Sequence, residues 1–472
     1  MKAVTVAVAV VLWAVPAWAE GPVLSREENA DVDGDLKPER IVLEGTRDFV
    51  LRAGGAEVRS RMTGSVLGLE LLELDALGTG KEVLVHGTTP EGSPELQLFR
   101  WNAGALQRVS LPPGKPHDAA NGIVLFDVPV GFWTRRDKYL YDARKPGFTE
   151  VPQPLYFLHG HAGTGKSVYL TRETPLVAEP GGALLLPLPA HASATALAFA
   201  PDPGARRDSA SSGWYLLWVG AVGWVRGETL TPDKPERPVH MWIDRDTSII
   251  EDLHPDMDLD GDGLGESLRL EPSVALHIGT HRVALPESLG QKMVGVDLDF
   301  TDKYREVLLY RGDLRWSRQV HKDSRLVRFE GGAPRVITLP ECTRFKFRGD
   351  NLLKCDSEEY QEHKGGMVER TRLFAFDKEQ QTFRERPQSL YFHFVPEVRV
   401  KKTFPLLHSR DPKAPVVARV AEESTVEVVV KSALDAHGRN WFLVRSKTGL
   451  LGWTQVETFF KGVYPREDPE EH

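Results

Sequence analysis

Asp258-Leu-Asp260-Gly-Asp262-Gly-Leu264-Gly-Glu266 decides how this 472-residue chain is read. Carboxylates recur at alternate positions, with glycines between or just after them. In a tight loop this alternation turns the oxygens of Asp258, Asp260 and Asp262 toward one point. Gly261 and Gly263 let the backbone bend through positive φ. Converging carboxylates repel one another unless a cation sits among them, and a hard cation that takes six to eight oxygens, Ca²⁺, suits the set best. Glu266 would close the cage, with the backbone carbonyl of Leu264 as a further oxygen. The alternative is a solvated acidic turn without metal.

An EF-hand needs a glutamate at its twelfth position and flanking helices. Arg269 holds that position here, and Ser267-Leu-Arg-Leu-Glu271 alternates like a strand. A nine-residue acidic loop running into a strand resembles the FG-GAP (VCBS-like) repeat of β-propellers. The resemblance implies metal ligands at Asp258, Asp260, Asp262, Glu266 and the Leu264 carbonyl, although the family usually has Asp at the ninth place. Asp31-Val-Asp33-Gly-Asp35-Leu-Lys-Pro-Glu39 repeats the four acids and enters a strand-like run, Arg40-Ile-Val-Leu43. It lacks a glycine after Asp35. Fainter relatives begin at Leu74-Asp75, at Phe126-Asp127 and at Val296-Asp297-Leu-Asp299-Phe-Thr-Asp302. These read as turns without metal. Recurrence every few tens of residues points to stacked repeats that bury a shared core.

Gly 42 and Pro 33, set between short apolar runs, point to an all-β, turn-rich chain. A net charge of −8 leaves no basic footprint for nucleic acid. Residues 1–19 read as a signal peptide: Lys2, an apolar run from Ala3 to Val15, and Ala17-Trp18-Ala19 as the cleavage site. A secreted or periplasmic protein is expected, without a transmembrane segment, because no apolar run is long enough to span a bilayer. The two cysteines, Cys342 and Cys355, flank a hairpin turning at Arg348-Gly-Asp-Asn351 and are close enough in sequence to pair. Sequence alone leaves their register open.

The chain also repeats on a larger scale. Phe148-Thr-Glu-Val-Pro-Gln-Pro-Leu-Tyr-Phe157 and Phe383-Arg-Glu-Arg-Pro-Gln-Ser-Leu-Tyr-Phe392 share seven of ten positions. Tyr141-Asp142 and Phe376-Asp377 precede them. After the second copy, residues 398–460 resemble a bacterial SH3-like (SH3b) domain. The pieces are Pro405-Leu-Leu-His, Ser424-Thr-Val-Glu-Val-Val429, Asn440-Trp441-Phe442-Leu-Val444 and Gly449-Leu-Leu-Gly-Trp453. A looser version, residues 170–232, carries Trp214-Tyr215 and Gly223-Trp224-Val225 and an insertion, Pro201 to Gly213, that reads as a mobile loop. Trp214, Trp224, Trp441 and Trp453 read as core pieces, with binding-cleft walls as the alternative. Tyr215 and Phe442 alternate with them and are the candidates for ligand contact. The family often binds cell-wall or other peptides.

The expected plan is therefore duplicated: FG-GAP-like propeller repeats at 20–158 and 238–396, small SH3-like β-barrels at 170–232 and 398–460, a Gly-rich linker at 159–169, and an acidic tail at 461–472. Gly160-His-Ala-Gly-Thr-Gly-Lys-Ser167 satisfies the Walker A pattern, but a P-loop needs a helix next, and a β-rich run soon broken by Pro175 follows. Neither His-Glu-x-x-His nor Gly-x-Ser-x-Gly occurs. The function expected is a non-catalytic envelope protein, braced by calcium and contacting cell-wall peptide or an envelope protein. The alternative is a cell-wall hydrolase targeted by its barrels.

Overall fold

Short alternating segments closed by Gly-containing turns can bury one face only by forming antiparallel sheets that stack. The computed structural model has this all-β architecture, with one short α-helix among the described residues, Val456–Gly462. The described residues are 24–464, apart from 75–79, 121, 143–146, 159–164, 205–210, 240–248, 251–255, 287–291, 300–301, 311–323, 343, 349 and 362–365. The expected signal peptide, the acidic tail beyond Tyr464 and the centre of the insertion after Pro201 lie outside them. No helix among the described residues is long and apolar enough to cross a membrane.

The chain divides into two compact units, Met1–Gln153 and Pro154–His472. The first holds three four-stranded meanders, each with neighbours in sequence order. Leu24–Ala30, Glu39–Gly45, Asp48–Ala53 and Ala56–Arg61 form one. Ser65–Leu72, Glu82–Thr88, Pro94–Asn102 and Ala105–Val109 form the next, and Lys115–Ala120, Ile123–Val130, Trp133–Asp142 and Gly147–Val151 the last. Ile41, Leu43, Phe49 and Leu51 of the first pack on Val83, Val85 and Phe99 of the second. Leu84 and Leu98, on the second meander's other face, pack on Val124, Phe126 and Tyr139 of the third.

The second unit holds three further antiparallel sheets: Asp256–Ala284, Lys292–Thr338 with the short strand Ile249–Ile250 added on Lys292–Val296, and Arg344–Arg386, again with apolar residues interleaved between neighbouring sheets. The Pro-Gln repeat noted in sequence has one structural use in both halves. Gln153 donates its side-chain amide to the Arg136 carbonyl at 2.7 Å, and Gln388 donates to the Thr371 carbonyl at 3.1 Å. The Cys342–Cys355 disulfide forms across Arg344–Phe347 and Leu352–Gln361, with Cα atoms 5.4 Å apart. Closing a loop of this length contributes about 3 kcal/mol by restricting the unfolded chain.

The same unit contains two further sheets, and their strand order is the same. In the second copy Leu390–Arg399 pairs Thr425–Ser432, which continues through Trp441–Ser446 and Leu451–Gln455 to Phe404–Leu407 and Val416–Val420. In the first, Lys166–Leu170 pairs Ser193–Pro201, then Gly213–Trp218, Val222–Arg226, Thr174–Val177 and Leu184–Leu188. Both copies cross at one equivalent residue pair, Val177 with Trp224 and Leu407 with Trp453. The glycine before each tryptophan permits that crossing. A Cβ on Gly223 would stand 2.7 Å from Leu176 Cγ, and one on Gly452 would stand 2.8 Å from Leu406 Cβ.

The structure corrects two boundaries. Lys166–Leu170 is a strand rather than the end of a linker, and the first sheet already starts at Tyr156–Phe157, which pairs Ser193–Pro201. Leu390–Arg399 likewise belongs to the second sheet, so that module starts near 390. In each case the extra strand covers an edge that would otherwise expose unpaired backbone groups. The two sheets also share one core. Leu155, Leu197, Leu216 and Trp224 of the first pack with their equivalents Leu390, Val429, Leu443 and Trp453 of the second.

Candidate metal centres and braced loops

Each acidic loop bends through left-handed residues, and this converges its side chains. Gly261 and Gly263 take φ of 68° and 87°. Gly34 takes 83°, but Leu36 takes 67° with a side chain that disfavours it, at a cost of about 1–2 kcal/mol. In both loops one oxygen from each of four carboxylates lies within 4.8 Å of the others: Asp31, Asp33, Asp35 and Glu39 in one, Asp258, Asp260, Asp262 and Glu266 in the other. The donor set is wholly carboxylate, and oxygens facing each other across a hard dication stand at most about 5 Å apart. Both clusters therefore fit a metal ion. Leu264 exposes its side chain, and its N–H donates to Asp262 Oδ1 at 2.7 Å.

The carboxylates also hold the loops themselves. Asp258 accepts from the N–H groups of Gly261 at 2.6 Å and Gly263 at 3.0 Å. Asp31 does the same for Gly34 at 2.6 Å and Leu36 at 2.8 Å. Among the described residues Asp260 accepts one loop N–H, from Asp262 at 3.1 Å, and Asp262 accepts one, from Leu264 at 2.7 Å, so both are less tied to the fold of the loop than Asp258.

Sequence reasoning missed a second device common to four loops. The glutamate that opens the following strand reaches back to the N–H of a buried apolar residue. Glu39 accepts from Val32 at 2.8 Å and Glu266 from Leu259 at 2.6 Å. Glu82 accepts from Leu74 at 3.2 Å and Glu306 from Leu298 at 2.9 Å. The signal was present as a buried aliphatic followed seven or eight residues later by Glu at a strand start. The last two loops, expected to be metal-free turns, carry protein cations instead. Arg328 bridges Glu306 and Asp302, at 2.8 Å each. Lys378 Nζ stands 2.6 Å from Asp299 and 3.2 Å from Asp302, and Arg305 pairs with Asp297 at 2.8 Å. In the register of its own meander Arg100 matches Arg328, with its guanidinium 4.0 Å from Glu82.

Glu306 is fully buried, and burial pushes its carboxyl up to about 7 despite the Leu298 N–H and Arg328. An acid raised in the folded state keeps its proton where the unfolded chain has lost it, so stability falls as pH rises from about 4.5 to about 7. The slope from this group approaches about 1.4 kcal/mol per pH unit within that window. Urea midpoints of the wild type and Glu306→Gln, compared at pH 5 and pH 7, should show the steeper fall in the wild type, since the other carboxyls raised by burial contribute alike to both. Equal slopes would remove the assignment. Glu82 is also raised by burial, and Tyr141 is pushed up to about 12 by burial and the Glu82 charge beside it.

No protein-family model matches this sequence. No curated protein matches it either. Among solved structures, the crystal structure of the tricorn protease overlaps 91% of this chain and 44% of that chain, at 11% identity and a TM-score of 0.16. The chain spans less than half of that protein's length, and so loose a superposition carries no argument.

Tyr215 and Phe442 are not surface contacts. Both are fully buried. Alternation along the strand does place them opposite the tryptophans, but both faces of these sheets are covered. Phe442 packs on Phe459 and Phe460 of the helix Val456–Gly462, with ring centroids 5.1 and 5.9 Å away, and on Phe404 and Val426. Tyr215 packs on Phe199 at 4.9 Å. The tryptophan face is buried too: Trp224, Trp441 and Trp453 sit in the shared core, with Trp214 half-buried beside it. Of the Walker A stretch, residues 160–164 lie outside the described residues, and Lys166 and Ser167 open a strand, where a P-loop would open a helix.

Proposed function

We propose that this is an exported, non-catalytic binding or scaffold protein of the cell envelope, built from FG-GAP-like repeats and a pair of SH3b-like modules. The observation that carries the reading is the same strand order found twice, on the same Gly-Trp crossing, beside repeats whose acidic loops converge four carboxylates. Calcium is the ion proposed for both loops, because its shell of oxygens at about 2.3–2.6 Å suits an all-carboxylate set. Held there, it would neutralise the acids and stiffen the turn between two strands. The protein's own work at these sites is to orient the oxygens through the loop amides and the Glu39 and Glu266 braces.

The paired modules would contact cell-wall peptide or an envelope protein. A hydrolase would need an accessible acid, and the group of acids most shifted by burial centres on Glu306, which is sealed from solvent and tied to Arg328. Co-sedimentation of the full chain with purified cell wall, with calcium and with chelator, tests the reading. Recovery in the pellet supports it, and a protein left wholly in the supernatant under both conditions removes wall binding.

A further inference from the structure

The second and third meanders of the first unit leave an apolar cleft of about 80 Å³ between them. Leu84 and Leu98 of the second meander and Val124 and Phe126 of the third line it, and all four are buried. A water takes about 10–15 Å³ on the same measure, so the space admits a group of about six heavy atoms, the size of one aromatic ring. Apolar walls around an empty space forfeit dispersion contacts that a ligand of that size would restore.

The backbone is shaped around this cleft. Two ladders of the first unit shift register, and both shifts fall here. Leu67 is the extra residue in Ser65–Leu72, between the pairs Val66–Gly87 and Gly68–His86. His117 is the extra residue in Lys115–Ala120, between the pairs Leu125–Asp118 and Phe126–Pro116. Both line the cleft, and Leu67 is 42% exposed. Bulges re-aim side chains and recur beside functional sites. They also blunt sheet edges, and both strands are edges. Leu24–Ala30, the corresponding edge of the first meander, nevertheless pairs with Glu39–Gly45 without a shift. An edge in this fold therefore does not require a bulge. Gly68 further makes room for His86, since a Cβ there would stand 2.8 Å from Nε2 of the imidazole.

The polar groups at the cleft select the ligand's charge. Glu70 and Asp118 line it together with one amine, Lys115. Burial holds the His86 imidazole below its usual value, so that ring is uncharged at neutral pH. Two acids against one amine disfavour a carboxylate. His117 turns Nδ1 toward Asp127 at 3.2 Å. A carboxylate at that distance keeps the proton on Nδ1 and makes Nε2 the acceptor nitrogen. An acceptor beside apolar walls suits a ligand that carries a hydroxyl on an apolar ring.

We propose that this cleft binds a small uncharged phenol, with its ring among Leu84, Leu98 and Phe126 and its hydroxyl donating to the His117 imidazole. The site lies wholly within the first unit and uses neither the acidic loops nor the paired modules. It therefore goes beyond the envelope-binding role, and each can fail without the other.

Fluorine NMR of 4-fluorophenol titrated with the full chain tests this. Saturable line broadening is expected, with 4-fluorobenzoate binding at least tenfold more weakly. Ala119→Leu, on the cleft lining, should fill the space and abolish the broadening. Leu67→Trp, at an exposed position, should weaken binding at least fivefold without moving the melting temperature, which separates blockage from misfolding. His117→Phe should weaken 4-fluorophenol at least fivefold and leave 4-fluorotoluene unchanged. No broadening with the wild type, or unchanged affinity in both Ala119→Leu and Leu67→Trp, would overturn the site. Equal binding of 4-fluorophenol and 4-fluorobenzoate, or equal losses of 4-fluorophenol and 4-fluorotoluene in His117→Phe, would overturn the ligand class.

Discussion

Trp453→Ala should destabilise the Pro154–His472 unit by about 3–5 kcal/mol, the range for deleting a large buried aromatic. Trp453 is 6% exposed and lies where Phe404–Leu407 crosses Leu451–Gln455, so its ring fills the second module and the shared core at once. The cavity left behind would open onto Leu407, Val429 and residues of the other module. Neither sheet can move in to fill it without losing its own packing. The loss should therefore appear in both modules together. Denaturant unfolding followed by far-ultraviolet dichroism and by hydrogen exchange at Leu216 and Leu443 should show one shifted transition. Exchange protection lost at Leu443 and kept at Leu216 would mean that the two modules fold independently and that their shared core adds little.

Calcium should raise the melting temperature, and Asp260→Ala should remove the part due to the second loop. A ligand bound only by the folded chain stabilises it by about 2.7 kcal/mol at a hundredfold excess over its dissociation constant. For a unit of this size each kcal/mol moves the midpoint by about 2–4 °C. Asp260 is the position to test because among the described residues it holds one loop amide, whereas Asp258 holds three and its loss would disturb the turn itself. Asp33→Ala is the counterpart in the first unit, where Asp33 accepts one loop N–H, from Asp35, among the described residues. Melting curves in calcium and in chelator would decide the matter. A double variant that still responds in full would place the ion elsewhere.

Much of the fold was legible because the patterns were local. Alternation after each acidic loop gave the strands, and the Gly-Trp pairs marked a crossing at which only glycine fits. The hairpin around Arg348 and Asn351 and the cysteines on either side of it also came from adjacent residues. What stayed hidden depended on contacts distant in sequence. That Tyr215 and Phe442 are buried follows from the helix Val456–Gly462 and neighbouring strands closing over them, which no period of two can show. The roles of Arg328 and Lys378 were also invisible, since they lie 22 and 76 residues from the acids they neutralise. The sequence did show which loops had lost acids. It did not show that side-chain cations had come to stand beside those that remain.

The contacts between the modules are reciprocal. Trp218 stacks on Phe392 with centroids 4.3 Å apart, and at the equivalent place on the other side Arg445 lies over Phe157 at 4.1 Å. Self-complementary contact of this kind is what an isologous homodimer makes. Here both partners lie in one polypeptide, so each module is held beside the other at a fixed local concentration and the junction forms without an association step. Covalent linkage also frees the two sides of the junction to differ in sequence, with an indole on one side and a guanidinium on the other.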